Sequence, residues 1–147
     1  MKETERSIAI LGRLRGMLLR QRDKFRSYLT LLEQEELAIV EGDADKLQVH
    51  VELEKSIIAE IFTLKRVIAP LQDLYQAAYP AAEATIPELE STLNRMGQQV
   101  IARNARNRAL LREKVDELRQ EIKTLRTWPK GASLFAEVAP SLVDITT

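Results

Sequence analysis

The sequence predicts an all-α protein: an elongated antiparallel helical hairpin and a long third helix, forming a three-helix coiled-coil-like bundle with a flexible C-terminal tail. Three observations carry this prediction. Hydrophobic residues make up 45% of the 147 and charged residues 30%, with aromatics at only 5%, the balance of long amphipathic segments. Five Gly and five Pro are too few to punctuate a fold of many short strands. Apolar residues also recur at alternating steps of three and four over three long stretches.

In the first stretch, residues 5–41, the stripe is Leu11, Leu14, Leu18, Phe25, Tyr28, Leu32 and Ile39, with Gln21 and Glu35 as polar exceptions. One apolar face of this kind predicts a helix with one buried side. Gly42 supplies the left-handed residue that closes it, and Asp43 caps the next helix, whose first turn carries Asp45 where negative charge suits the dipole.

The second helix is expected over 43–76, through Leu47, Ile57, Ile61, Leu64, Ile68, Leu71 and Tyr75, with His50 and Glu54 interrupting the stripe near its start. Pro70 lacks an N–H and crowds the carbonyl four residues earlier, so it should kink or end this helix; continued periodicity at Leu71 and Leu74 favours a kink. The segment 77–88, AAYPAAEATIPE, then breaks the pattern at Pro80. Thr85 and Glu88 form a reciprocal capping pair, with Pro87 tolerated in the first turn.

The third helix, 86–126, runs through Ile86, Leu89, Leu93, Met96 and Val100, then Asn104 and Asn107, then Leu111, Val115, Leu118, Ile122 and Leu125. Asparagines on such a stripe set register at some cost in stability. Alternatively, they mark where the stripe ceases to pack on the hairpin and waits for a partner; the pattern alone leaves both readings open. Residues 1–126 thus read as one helical domain and 127–147 as a tail. There Pro129, Gly131 and Pro140 prevent a long helix, while Leu134, Phe135, Val138, Leu142, Val143 and Ile145 stay apolar.

Several functional classes are disfavoured by the residues present. The stretch after Gly42 mimics an EF-hand at Asp43, Asp45 and Glu54, but Leu47 stands at a ligand position and Gln48 where the loop demands glycine. His50 is the sole histidine and there is no cysteine, so neither a cluster of these ligands nor a thiol nucleophile is available. With no phosphate loop, nucleophile elbow or sheltered carboxylate pair in view, no enzyme, catalytic residue, metal or cofactor is expected.

Lys plus Arg (22) balances Asp plus Glu (22). The basic clusters Arg13 to Arg26 and Arg103 to Lys114 are therefore better matched to acids on neighbouring helices than to nucleic acid. In an up-down-up arrangement, Arg103 to Arg112 come level with Glu33, Glu35, Glu36 and Glu41. The four-residue apolar run Ile8 to Leu11 is too short for a signal-peptide core, and no stretch reaches the length of a membrane span. A cytoplasmic protein without stable membrane insertion is the expectation.

The run LLEQEELAIVEGDADKLQVHVELEKSIIAEIFTLKR, residues 31–66, resembles the signature hairpin of the FlgN family of flagellar type III export chaperones. An acidic-apolar run precedes Gly42-Asp43, and Lys55 leads into Ile57, Ile58 and Ile61. The segment ARNARNRALLREKVDELRQEI is similar to that family's third helix, and Trp128, Gly131 and LVDITT to its C terminus. This resemblance implies a chaperone that binds hook-associated (hook-filament junction) proteins, prevents early assembly and delivers them to the export gate. It implies client binding by Leu111, Val115, Leu118, Ile122 and Leu125. The family's gate contact is an aromatic residue, commonly tyrosine; no tyrosine follows Tyr79 here, so Trp128 or Phe135 would serve. The competing expectation is a structural or adaptor coiled-coil protein that self-associates, for example as a homodimer.

Overall fold

The computed structural model describes residues 2–78 and 85–127. Three helices account for them: α1, Lys2–Glu41; α2, Ala44–Ala78; and α3, Thr85–Thr127. Each boundary falls within three residues of its expected position. At 40 and 43 residues, α1 and α3 are rods of about 60 and 65 Å at ~1.5 Å per residue.

The turn between α1 and α2 is built as its sequence implies. Gly42 has φ +72°, and its N–H donates to the Ile39 carbonyl at 3.1 Å while Asp43 N–H donates to Ala38 at 3.0 Å. These two bonds satisfy the last carbonyls of α1 in a Schellman closure. Asp43 then starts α2: its Oδ1 accepts from Lys46 N–H at 3.1 Å. The carboxylate that began the apparent metal loop is a helix cap. α2 continues through Pro70 without ending.

Both α2 and α3 pack along α1 and barely approach each other. Leu14 and Leu18 of α1 share one cluster with Ile68, Leu71 and Tyr75 of α2 and with Ile86 and Leu93 of α3. Farther along, Tyr28 and Leu32 join Val100, with Ile57, Ile58 and Ile61 packed against them. Thus α2 runs antiparallel to α1 and α3 parallel to it. Leu14, Leu18 and Leu32 are fully enclosed, and burying each stabilises the fold by about 1.5–3 kcal/mol. These three positions belong to the stripe that the periodicity of α1 had marked.

Candidate functional site: the end of α3 beyond the hairpin

Cross-helix contacts set how far α3 slides along α1. Arg103 pairs with Glu36 at 3.4 Å and Glu33 at 3.5 Å, Asn104 Nδ2 donates to Tyr28 Oη at 3.0 Å, and Asn107 Nδ2 donates to the Leu32 carbonyl at 3.0 Å. These pairs are 67, 70, 76 and 75 positions apart in sequence. Glu41, the last residue of α1, therefore comes level with α3 between positions 108 and 117. The ten residues from Leu118 to Thr127 lie beyond the hairpin tip, an extension of about 15 Å at ~1.5 Å per residue.

The apolar stripe continues unbroken along that overhang. At about 3.6 residues per turn, Leu111, Val115, Leu118, Ile122 and Leu125 fall on the same face of α3 as Ile86, Leu93 and Val100. The first half of this face is buried on α1. Past Asn107 none of it is: Leu111 is 39% exposed and Leu118 51%, with Val115, Ile122 and Leu125 half-buried. All five residues expected to hold a client thus lie together on one accessible face. The two residues expected at the export gate, Trp128 and Phe135, lie outside the described residues.

Where the stripe changes from covered to bare, a polar layer crosses the three helices. Tyr28 Oη donates to Glu54 Oε1 at 2.7 Å and accepts from Asn104. Burial, with the Glu54 carboxylate beside it, pushes the Tyr28 hydroxyl up to about 12 despite the opposing Asn104 bond. Glu35 faces the same layer. Burial first, then its contact with Glu54, raises its carboxyl to about 7, while the Asn107 amide acts the other way. Asn107 is only 1% exposed, and its Oδ1 and the Glu35 Oε2 are buried without partners. The Asn pair thus ties α3 to α1 and stands at the edge of the covered stripe.

One expectation needs correction. Glu35 was expected with Glu33, Glu36 and Glu41 among the acids opposite the α3 arginines, but it turns inward to Glu54 because it occupies a stripe position of α1. Glu33 and Glu36 do meet arginine: Arg103 reaches both, and Arg106 reaches Glu36 at 2.9 Å. In the other basic cluster, Lys24 pairs with Glu60 across the hairpin.

A second apolar surface escaped the sequence reading. Because α2 and α3 do not close on each other, a groove opens between them over Leu18 and Phe25 of α1, flanked by Phe62 at 57% exposure and Ile101 at 71%. Both residues fall just off their helix stripes. No local period distinguishes such positions from ordinary surface residues. Among the described residues no helix is long and apolar enough to cross a membrane.

A protein of Treponema pallidum (strain Nichols), itself uncharacterized, is 38% identical to this chain over 126 residues, covering 85% of this chain and 80% of the relative. The chain belongs to the family of that protein. No family model matches the chain, and no solved structure matches it.

Proposed function

We propose that the protein is a cytoplasmic export chaperone of the FlgN type, which holds hook-associated flagellar proteins before secretion and delivers them to the export gate. The observation that supports it is the bare aliphatic stripe from Leu111 to Leu125, carried past the hairpin on a helix supported by α1. Spaced aliphatic anchors on one helix face suit an amphipathic client helix that orders on binding. Burying the exposed part of each anchor contributes about 1 kcal/mol, so five together can offset the cost of ordering a short client segment. The sequence resemblance supplies the client class.

The test is co-purification with a hook-associated protein. Leu111→Ser with Leu118→Ser should reduce capture at least tenfold, whereas Val49→Ser, at an exposed apolar position of α2, should capture as the native chain does. Equal capture by all three would refute the assignment. The self-associating adaptor reading predicts instead a concentration-dependent dimer that the same double substitution dissolves, with no capture of client.

A further inference from the structure

The overhang and the groove between α2 and α3 lie on one line of α3. Leu111, Val115, Leu118, Ile122 and Leu125 alternate by steps of four and three, and the same alternation carried back along the helix passes Arg108 and Asn104 and reaches Ile101, Gly97 and Asn94. These last three line the groove. Ile101 and Ile122 stand 21 residues apart, as do Gly97 and Leu118, which is three whole heptads. A seven-residue repeat slips by about 20° per heptad around a straight helix, so the two surfaces face directions about 60° apart. A partner helix wound left-handedly on α3 takes up that slip and touches both. Gly97 keeps the line passable: nothing lies within 4 Å of where its side chain would start, so another helix can approach the backbone closely.

The two flanks of this line differ in charge. Arg112, Arg119 and Arg126 recur every seven residues along one side of the overhang, all three exposed. The other side carries Lys114 and Glu121, and Lys114 meets Glu117 at 3.7 Å. A row of one sign therefore borders one edge only. A second α3 laid antiparallel on this face would set arginine against arginine, which disfavours self-pairing, whereas carboxylates on a partner helix would be attracted.

We infer that the overhang and the α2–α3 groove form one seat for a single amphipathic partner helix of about 30 residues, aliphatic on its inner face and acidic along the flank that meets Arg112, Arg119 and Arg126. From Asn94 to Leu125 the seat runs about 46 Å at ~1.5 Å per residue. Over the overhang the partner rests on α3 alone. Farther in, it lies between Ile101 of α3 and Phe62 of α2, both exposed, and fills the side that α2 and α3 leave open, completing a four-helix bundle there. The identity of the partner as a hook-associated client rests on the reading proposed above; the length and charge of the seat do not.

The probes are two synthetic peptides of about 30 residues, with Leu at the core positions of each heptad and either Glu or Lys along one flank. Each is titrated into the full-length protein while the methyl NMR signals of Ile101 and Leu118 are followed. The Glu peptide should move both signals together and bind at least about tenfold more tightly than the Lys peptide. Arg112→Glu with Arg126→Glu should invert that preference, a result that loss of folding cannot produce. Movement of Leu118 alone would overturn the single seat. Equal binding of the two peptides, or binding of neither, would overturn the inference as well. So would movement of both signals when the protein is concentrated without peptide, which makes a second copy the occupant. In a separate arm a hook-associated protein replaces the peptide. If it is not captured while the Glu peptide binds as stated, the chaperone reading fails and the seat stands; if it is captured while the Ile101 signal stays still, that reading stands and the single seat fails.

Discussion

Asn107 on α3 donates its side-chain amide to the backbone carbonyl of Leu32 on α1 at 3.0 Å, across 75 positions of sequence. This bond ties a residue at 1% exposure to the backbone of the neighbouring helix. It favours this register of α3 against α1, because a slide that breaks it without replacing it leaves a buried amide unsatisfied, at about 1–3 kcal/mol.

Replacing Asn107 with Leu should therefore leave stability within about 1 kcal/mol of the native chain, since an unpartnered buried Oδ1 is lost along with the bond. Uniqueness should suffer instead. NMR signals of Leu32 and Val100 are expected to split or broaden as neighbouring registers become populated. Asn107→Asp should cost about 3 kcal/mol or more at neutral pH, because it adds a buried charge beside Glu35.

The Glu35 carboxyl should make stability fall as pH rises. Its folded value of about 7 lies above the ordinary 4.5, so the folded state binds the extra proton between these limits. The contribution is fully present below about 4.5 and is lost as pH rises through about 7. Urea midpoints should decline from pH 5 to pH 8 by the equivalent of about 1–2 kcal/mol, after allowance for partial exposure of the pair. Glu35→Gln should flatten this dependence; an unchanged slope would contradict the raised Glu35 carboxyl.

Tyr28→Phe removes one hydroxyl that serves two partners, leaving Glu54 and Asn104 without it. The expected loss is about 1–2 kcal/mol in chemical denaturation, with helix content unchanged. Tyr28→Phe combined with Glu54→Leu should recover part of that loss, because the stranded carboxylate is removed too.

At the hairpin tip, Gly42→Ala forces a Cβ into a left-handed backbone and should cost about 1–2 kcal/mol. Asp43→Ala removes the cap and should cost about 1 kcal/mol. Amide exchange is expected to rise first in residues 36–50, whereas the Leu14–Tyr75 end stays protected.

The two halves of the α3 stripe should respond differently to substitution. Leu118→Ser is expected to change stability by no more than about 0.5 kcal/mol. Leu93→Ala, in the covered half, should cost about 2–5 kcal/mol. Thermal melts of the pair measure directly where α1 ceases to cover α3.

The sequence by itself determined the three helices, the Gly42-Asp43 turn and the face of each helix that is apolar. Each depends on residues within four positions of one another, through i, i+4 hydrogen bonding, capping and the helical period. Glu35, a polar residue on a stripe, was legible as an exception but not as the partner of Glu54. The tertiary structure decided that pairing, the open groove between Phe62 and Ile101, and above all the point at which α1 runs out beneath α3. Leu93 and Leu118 occupy equivalent positions in the same periodic pattern. One is enclosed and the other bare because the slide between two parallel helices is set by contacts spanning 67 to 76 positions, and no local periodicity contains that offset.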